Sequence, residues 1–279
     1  MPIRDILVTL VGEPSLAAIA AIDKCVAVAQ SIGARISAVA AEVEIPVRPQ
    51  VAIPDDPDAA AAEPVRFVSN ALGLLQAFEA AAIRLGARND QQLRRLSVNE
   101  IAGSFAMAAR LKDITIIPVL PHDDRSEEIA ERLVLKSGRP ILMCPEEIAP
   151  KLRVPFNNVV IAWDHTAPAA RAVADALPWL KVAANVRIIT ATDKNLPAEL
   201  ESGKALVSHL AEHGIKASFE TIKIDGSSVG KVFEAHVEAN ATDLLVMGAY
   251  HHSRLNEIVW GGATKAIIGR PPCWVLMSR

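Results

Sequence analysis

The chain has 279 residues, enough for one large domain or for two of about 140, since domains usually run to about 100–200 residues. Its 29 Lys and Arg against 32 Asp and Glu leave a net charge of −3, which excludes the basic footprint of a nucleic-acid binder. Apolar residues at 51% supply a large core and exclude disorder, and the 4% aromatic share leaves Ala, Val, Ile and Leu as core material, as in helices packed on a parallel sheet.

The chain opens on Met1-Pro2-Ile3-Arg4-Asp5, which has no basic segment leading into an apolar one, so no export signal is expected. Ile6-Leu7-Val8-Thr9-Leu10 reads as a first strand. Residues 16–32 are Ala-rich and apolar, but Asp23 and Lys24 interrupt them, short of the roughly 20 apolar residues a membrane span needs. Cys25, Cys144 and Cys273 are few, odd in number and far apart, which suits buried thiols in a reducing compartment. A soluble, cytoplasmic protein with no membrane partner is the expectation.

Residues 42–63 carry Pro46, Pro49, Pro54 and Pro57 and read as a long surface loop, because proline removes backbone donors and biases its predecessor away from helix. Asp113-Ile114-Thr115-Ile116-Ile117 is a further strand, and His122-Asp123-Asp124-Arg125-Ser126-Glu127-Glu128 reads as the acidic start of a helix. The apolar run at 139–144 closes this half. Glu146, Glu147, Pro150 and Lys151 then form a polar linker, which sets the expected domains at 1–148 and 153–279.

The second half repeats the order. Val159-Val160-Ile161-Ala162-Trp163 answers the first strand, Asp243-Leu244-Leu245-Val246-Met247 answers 113–117, and the run at 270–277 answers 139–144. Strands are predicted near 158–163, 185–191, 217–223, 243–248 and 272–277, with helical patterns at 167–182, 196–213 and 228–239 between them. Apolar strands alternating with helices give an α/β chain of two tandem five-stranded parallel-sheet domains, Rossmann-like in layout. The last strand of each domain would lie at a sheet edge with its backbone unpaired, and something must cover it.

In such sheets ligands bind beyond the carboxyl ends of the strands. The first strand of the second half ends in Trp163-Asp164-His165-Thr166, which offers either a binding carboxylate at Asp164 or a helix cap. The fourth runs into Gly248-Ala249-Tyr250-His251-His252-Ser253-Arg254-Leu255, and Gly261-Gly262-Ala263-Thr264 follow before a helix that contains Lys265. A glycine after a strand permits close approach to the backbone, and glycines before a helix leave its free N–H groups open to an anion.

This pattern resembles the universal stress protein family, whose loop after the fourth strand reads Gly, two residues, Gly, nine residues, Gly, then Gly, Ser or Thr. Gly248, Gly261 and Gly262 fall at that spacing, and His251 stands at the second glycine. The resemblance implies a nucleotide-binding α hydrolase-like fold and a stress-response regulator that binds ATP, with Mg²⁺ carried on the phosphates. It also implies roles: Asp164, and by a weaker match Thr192, against adenosine, and Gly248, His251, Gly261, Gly262, Ala263 and Thr264 around the phosphates. A β-carbon and imidazole at 251 oppose close approach, so binding is expected to be weakened but retained. The first half has Val11-Gly12-Glu13 in place of the aspartate and Pro118 and Pro121 in place of the glycines, so at most one nucleotide per chain is expected. In the family the fifth strands of two protomers pair, which here implies an intrachain pseudo-dimer, with any homodimer using another face.

Other signals compete. Gly226-Ser227-Ser228-Val229-Gly230 fits a nucleophile elbow and makes a serine hydrolase, with His251 or His252 as base, an alternative to a helix cap at the same place. A scaffold that binds no nucleotide is the other alternative. No general base is placed for turnover, so no catalytic residue is assigned. His209 and His213 stand one helical turn apart and His251-His252 are adjacent, yet no ligand cluster of metal spacing surrounds either pair, and no metal ligand is assigned.

Overall fold

A computed structural model describes residues 2–43, 57–120, 123–146, 156–194, 196–250 and 257–279, for the backbone alone at 57–68 and 257–261. The first half runs β1 (Asp5–Leu10), α1 (Leu16–Ser31), β2 (Arg35–Val43), α2 (Pro57–Leu85), β3 (Asn89–Leu96), α3 (Ile101–Ala109), β4 (Ile114–Val119), α4 (Asp124–Lys136) and β5 (Ile141–Pro145). The second runs β6 (Asn158–Ala162), α5 (Ala167–Leu180), β7 (Asn185–Ala191), α6 (Pro197–Glu212), β8 (Ala217–Ile222), α7 (Val229–Ala239), β9 (Leu244–Gly248), α8 (Glu257–Gly269) and β10 (Trp274–Ser278).

The ten strands among the described residues form one sheet in the order β3-β2-β1-β4-β5-β10-β9-β6-β7-β8. Within each half the strands are parallel, and the halves meet where β10 pairs antiparallel with β5, Leu276 opposite Leu142. The two apolar closing strands thus cover each other's edges, which removes the exposed pairing template each would present alone. The apolar layers on both faces run across the join. One gathers Ile22, Leu142 and Cys144 with Phe156, Trp179 and Leu276, and the other Leu133 and Met143 with Phe233, Ile267 and Val275. Phe156 packs between Trp179 and Trp274, at centroid distances of 6.1 and 5.6 Å, behind that join.

The repeat has a local cause at the amino ends of the central strands. Asp113 Oδ2 accepts from the amides of Arg4 and Asp5 at 2.8 and 2.9 Å, and Asp243 Oδ2 accepts from those of Asn157 and Asn158 at 2.9 and 2.8 Å. The same carboxylate therefore anchors the incoming first strand of each half, satisfying donors that have no sheet partner. The helices begin on caps: Ser15, Asp123, Thr166 and Ser228 each accept from the amide three residues on.

One segment differs from expectation. The loop predicted over 42–63 is shorter, because β2 continues to Val43 and α2 starts at Pro57. Proline at the first helical position lacks only an N–H that has no intrahelical partner, and Ala59 to Ala62 have the highest helix propensity. The rest of that stretch, with Pro46, Pro49 and Pro54, lies outside the described residues. No helix among the described residues is long and apolar enough to cross a membrane.

Candidate functional site

In the second half β6 leads to β7 on one side and β9 lies on the other, so the chain order reverses between β6 and β9. Ala162 is opposite Met247 in that pair, which brings the exits at Asp164 and Ala249 side by side on adjacent strands. Asp164 is half-buried there, and its Oδ1 accepts from the Thr166 amide at 3.1 Å and the Thr166 hydroxyl at 2.6 Å. Thr166, not Asp164, caps α5, accepting from the Ala169 amide at 3.3 Å. Between them His165 takes a left-handed φ of 64°, and its exposed ring lies nearly parallel to that of Trp163, 6.4 Å away at 13°. Trp163 is held by its indole N–H to Ser202 Oγ at 2.9 Å and by its carbonyl, which accepts from the Thr190 hydroxyl at 2.8 Å. An aromatic shelf thus adjoins the carboxylate at the crevice.

Thr192 follows β7 but is buried, and its hydroxyl accepts from the Lys194 amide at 3.2 Å. It offers a ligand little surface, in line with its weaker match.

Beyond β9 the geometry departs from expectation in three respects. A β-carbon on Gly248 would meet Ala169 N at 2.5 Å and the Pro168 carbonyl carbon at 2.7 Å, so the glycine makes room for the first turn of α5. The helix α8 starts at Glu257, which places Gly261 and Gly262 within its second turn instead of ahead of it. Their amides are consumed by the helix ladder, and the donors with no partner inside the helix belong to its first turn. Buried Ala263, Ile267 and Ile268 hold this helix on the core, so tertiary packing overrides the low propensity of the glycine pair. Gly262 itself is exposed, with open space where a side chain would project. Thr264 is buried, and its hydroxyl accepts from the Tyr250 amide at 3.5 Å, facing the protein more than a ligand. His251 and His252 lie outside the described residues.

Tyr250 was given no role by sequence reasoning. It has a left-handed φ of 50°, and its hydroxyl donates to Glu131 Oε1 in α4 at 2.7 Å. Burial first, and then the Glu131 carboxylate, push the phenol well above its ordinary range, so it stays a donor. Its one available signal was singularity, as the single tyrosine of the chain.

The first half has a crevice at the matching place, between β1 and β4, lined by Leu10, Val11, Ile22, Ile117, Pro118 and Glu146 among others. Its volume of about 20 Å³ has room for about one water. Burial, and secondarily the charge of Asp123, push the Glu146 carboxyl up to about 7 from 4.5. The folded state therefore holds a proton that the unfolded chain releases, and stability contributed by this group falls as pH rises from about 4.5 to about 7 and stays low above. Glu146→Gln is expected to gain on the order of 2 kcal/mol over the wild type at pH 8, allowing for partial solvation of the carboxyl, and nothing at pH 4.5. Urea melts of both proteins at the two pH values check this, and equal differences at both would refute it.

Ser228 caps α7, its hydroxyl accepting from the Lys231 amide at 3.4 Å, with Asp225 and Gly226 in left-handed conformations forming the preceding turn. Asp243 is spent at the opposite end of the sheet. The elbow pattern is thus met by a cap. His209 and His213 stack edge to face at 4.9 Å on the exposed end of α6. Among the described residues no group of three or more His, Cys, Asp or Glu gathers as a metal would need. Cys25 and Cys144 are buried free thiols and Cys273 is partly buried, and burial pushes the Cys25 and Cys273 thiols up, as in unreactive core positions.

Residues 155–279, which include the whole of this crevice, match the model of the universal stress protein family. This half of the chain is a universal stress protein domain. Solved structures extend the likeness in fold to both halves. A universal stress protein from Archaeoglobus fulgidus aligns over 99% of this chain and 96% of its own, at 15% identity and a TM-score of 0.68. A functionally unknown protein from Pseudomonas aeruginosa PAO1 aligns over 99% and 92%, at 14% identity and a TM-score of 0.57. No curated protein matches the chain. The mostly parallel α/β architecture with its two like halves therefore stands on both the strand order and these likenesses in fold.

Proposed function

We propose that the second universal stress domain binds one adenine nucleotide, ATP, in the crevice beyond β6 and β9, and that the protein acts as a nucleotide-responsive stress regulator with its halves divided near 148–153. The observation that carries this reading is the half-buried carboxylate of Asp164 at the switch point, beside the exit of β9, in a domain of this family. Asp164 would accept from the adenosine hydroxyl or amino groups. The first-turn amides of α8, with the bare surface at Gly262, would take the phosphates in place of the amides of Gly261, Gly262 and Ala263. Mg²⁺ would arrive on the phosphate oxygens. The first half would bind none, because its crevice is apolar-walled, water-sized and carries Glu146.

Titration calorimetry of the full chain with ATP is expected to give a stoichiometry near one, lost on Asp164→Ala and improved on His251→Gly. Absence of heat in both the wild type and His251→Gly, with no nucleotide released on denaturing freshly purified protein, would remove the proposal. One observation favours the scaffold reading instead: Gly248 is already explained by its contact with α5.

A further inference from the structure

We propose that the first half positions the phosphate end of the second half's nucleotide site, through the hydrogen bond from Tyr250 to Glu131. The inference rests on the nucleotide reading above and deepens it by giving the half that binds no nucleotide a task.

Tyr250 joins three elements. Its main chain is the exit of β9, one residue beyond Ala249, held in a left-handed conformation that only a well-determined surrounding maintains in a tyrosine. Its amide donates to Thr264 in α8. Its hydroxyl crosses to Glu131 in α4, 119 residues earlier in the chain. A second contact lies one turn away on the same face of α4, where Glu127 Oε1 sits 2.8 Å from the place a β-carbon on Gly269 would occupy. Glu127 and Glu131, four residues apart on one helix, therefore face the second half together. The hydroxyl is the informative group. A ring alone would fill the space, whereas a phenol donating to a carboxylate fixes direction and is among the stronger hydrogen bonds available.

The consequence follows from where the two ends of the ligand would lie. Asp164 lies just beyond β6 and accepts from both the amide and the hydroxyl of Thr166 at the start of α5. Thr264 of α8 is tied to the exit of β9 by the Tyr250 amide, and Tyr250 is tied to the first half by Glu131, so α8 is linked through one residue to both. Loosening this link shifts the phosphate end and leaves the adenosine end in place. Glu131 and Tyr250 are thus positioning residues, with effects that depend on the ligand carrying phosphates.

The test titrates full-length wild type, Tyr250→Phe, Glu131→Ala and Glu131→Gln with ATP and, separately, with adenosine. Tyr250→Phe and Glu131→Ala are expected to weaken ATP about tenfold and to leave adenosine within about twofold, as loss of one hydrogen bond to a charged group would. Glu131→Gln retains an acceptor oxygen and is expected to recover most of the affinity. Thermal melts establish that each variant is folded, and Tyr250→Phe keeps the ring if Glu131→Ala is not. Wild-type binding of ATP with unchanged affinity in Tyr250→Phe and Glu131→Ala overturns the inference and spares the nucleotide reading. Parallel losses for ATP and adenosine overturn it as well, because they report general disturbance. A wild type that binds neither ligand overturns both.

Discussion

Leu276→Asp is expected to destabilise the whole chain by about 4 kcal/mol or more, a large share of the total of a typical domain. Leu276 is fully buried on β10, opposite Leu142 of β5 on one side and Val246 of β9 on the other. It belongs to an apolar layer drawn from both halves, so no rearrangement within one half brings a carboxylate there to water. The charge must be neutralised, the strand must leave the sheet, or the halves must part. If they part, Ile141, Leu142, Met143, Val275 and Met277, all without exposed surface in the intact fold, become two apolar sheet edges. The wild type is expected to unfold in urea in one transition seen alike by circular dichroism and tryptophan fluorescence. The variant should unfold earlier, with the two probes separating and with association at high concentration. A variant midpoint within about 1 kcal/mol of the wild type would show that the join is not part of the common core.

The same features explain what the sequence revealed and what it concealed. Strands buried on both faces are continuous apolar runs, and the five of the second half were legible to within about two residues for that reason. The matching Asp113 and Asp243 were visible as a repeat before their shared role in anchoring the first strands could be known. The strand β3 was not legible, since Asn89-Asp90-Gln91-Gln92-Leu93-Arg94-Arg95-Leu96 is largely exposed at the outer edge of the sheet and burial leaves no pattern in it. The start of α2 was hidden by Pro57, because proline breaks a helix interior but is tolerated at the first helical position.

Asp164 stood out in the sequence as a carboxylate at a strand exit, open to a binding or a capping role, and the cap proved to be its neighbour Thr166. Gly261 and Gly262 suggested a helix start that packing of later residues moved forward by a turn. Tyr250 was unreadable as a positioning residue because its partner is 119 residues away, across a contact that exists only after the halves pair. Local propensity and spacing carry the elements; contacts between distant segments carry the arrangement of the site.

Gly248 separates the two meanings a glycine can have at such an exit. Its backbone does not take a left-handed φ, so other residues could adopt the conformation, and the constraint is space alone. The space is filled by main-chain atoms, Ala169 N at 2.5 Å and the Pro168 carbonyl carbon at 2.7 Å from a would-be β-carbon, which cannot turn aside as a flexible side chain would. Gly248→Ala is therefore expected to cost the ligand-free protein about 3 kcal/mol, at the upper end of overpacking, by lifting the first turn of α5 from β9. Because Thr166 caps that turn and also holds Asp164, the displacement carries the carboxylate with it, and adenosine affinity should fall together with ATP affinity. That result contrasts with the selective loss expected of Tyr250→Phe, although the two residues are only two positions apart. A glycine needed solely for phosphate approach would behave in the opposite way. The ligand-free melting curve would stay within about 0.5 kcal/mol of the wild type, adenosine would bind normally, and ATP alone would be lost. Melting without ligand and titration with both ligands thus assign the glycine to packing or to phosphate contact, and the geometry predicts packing.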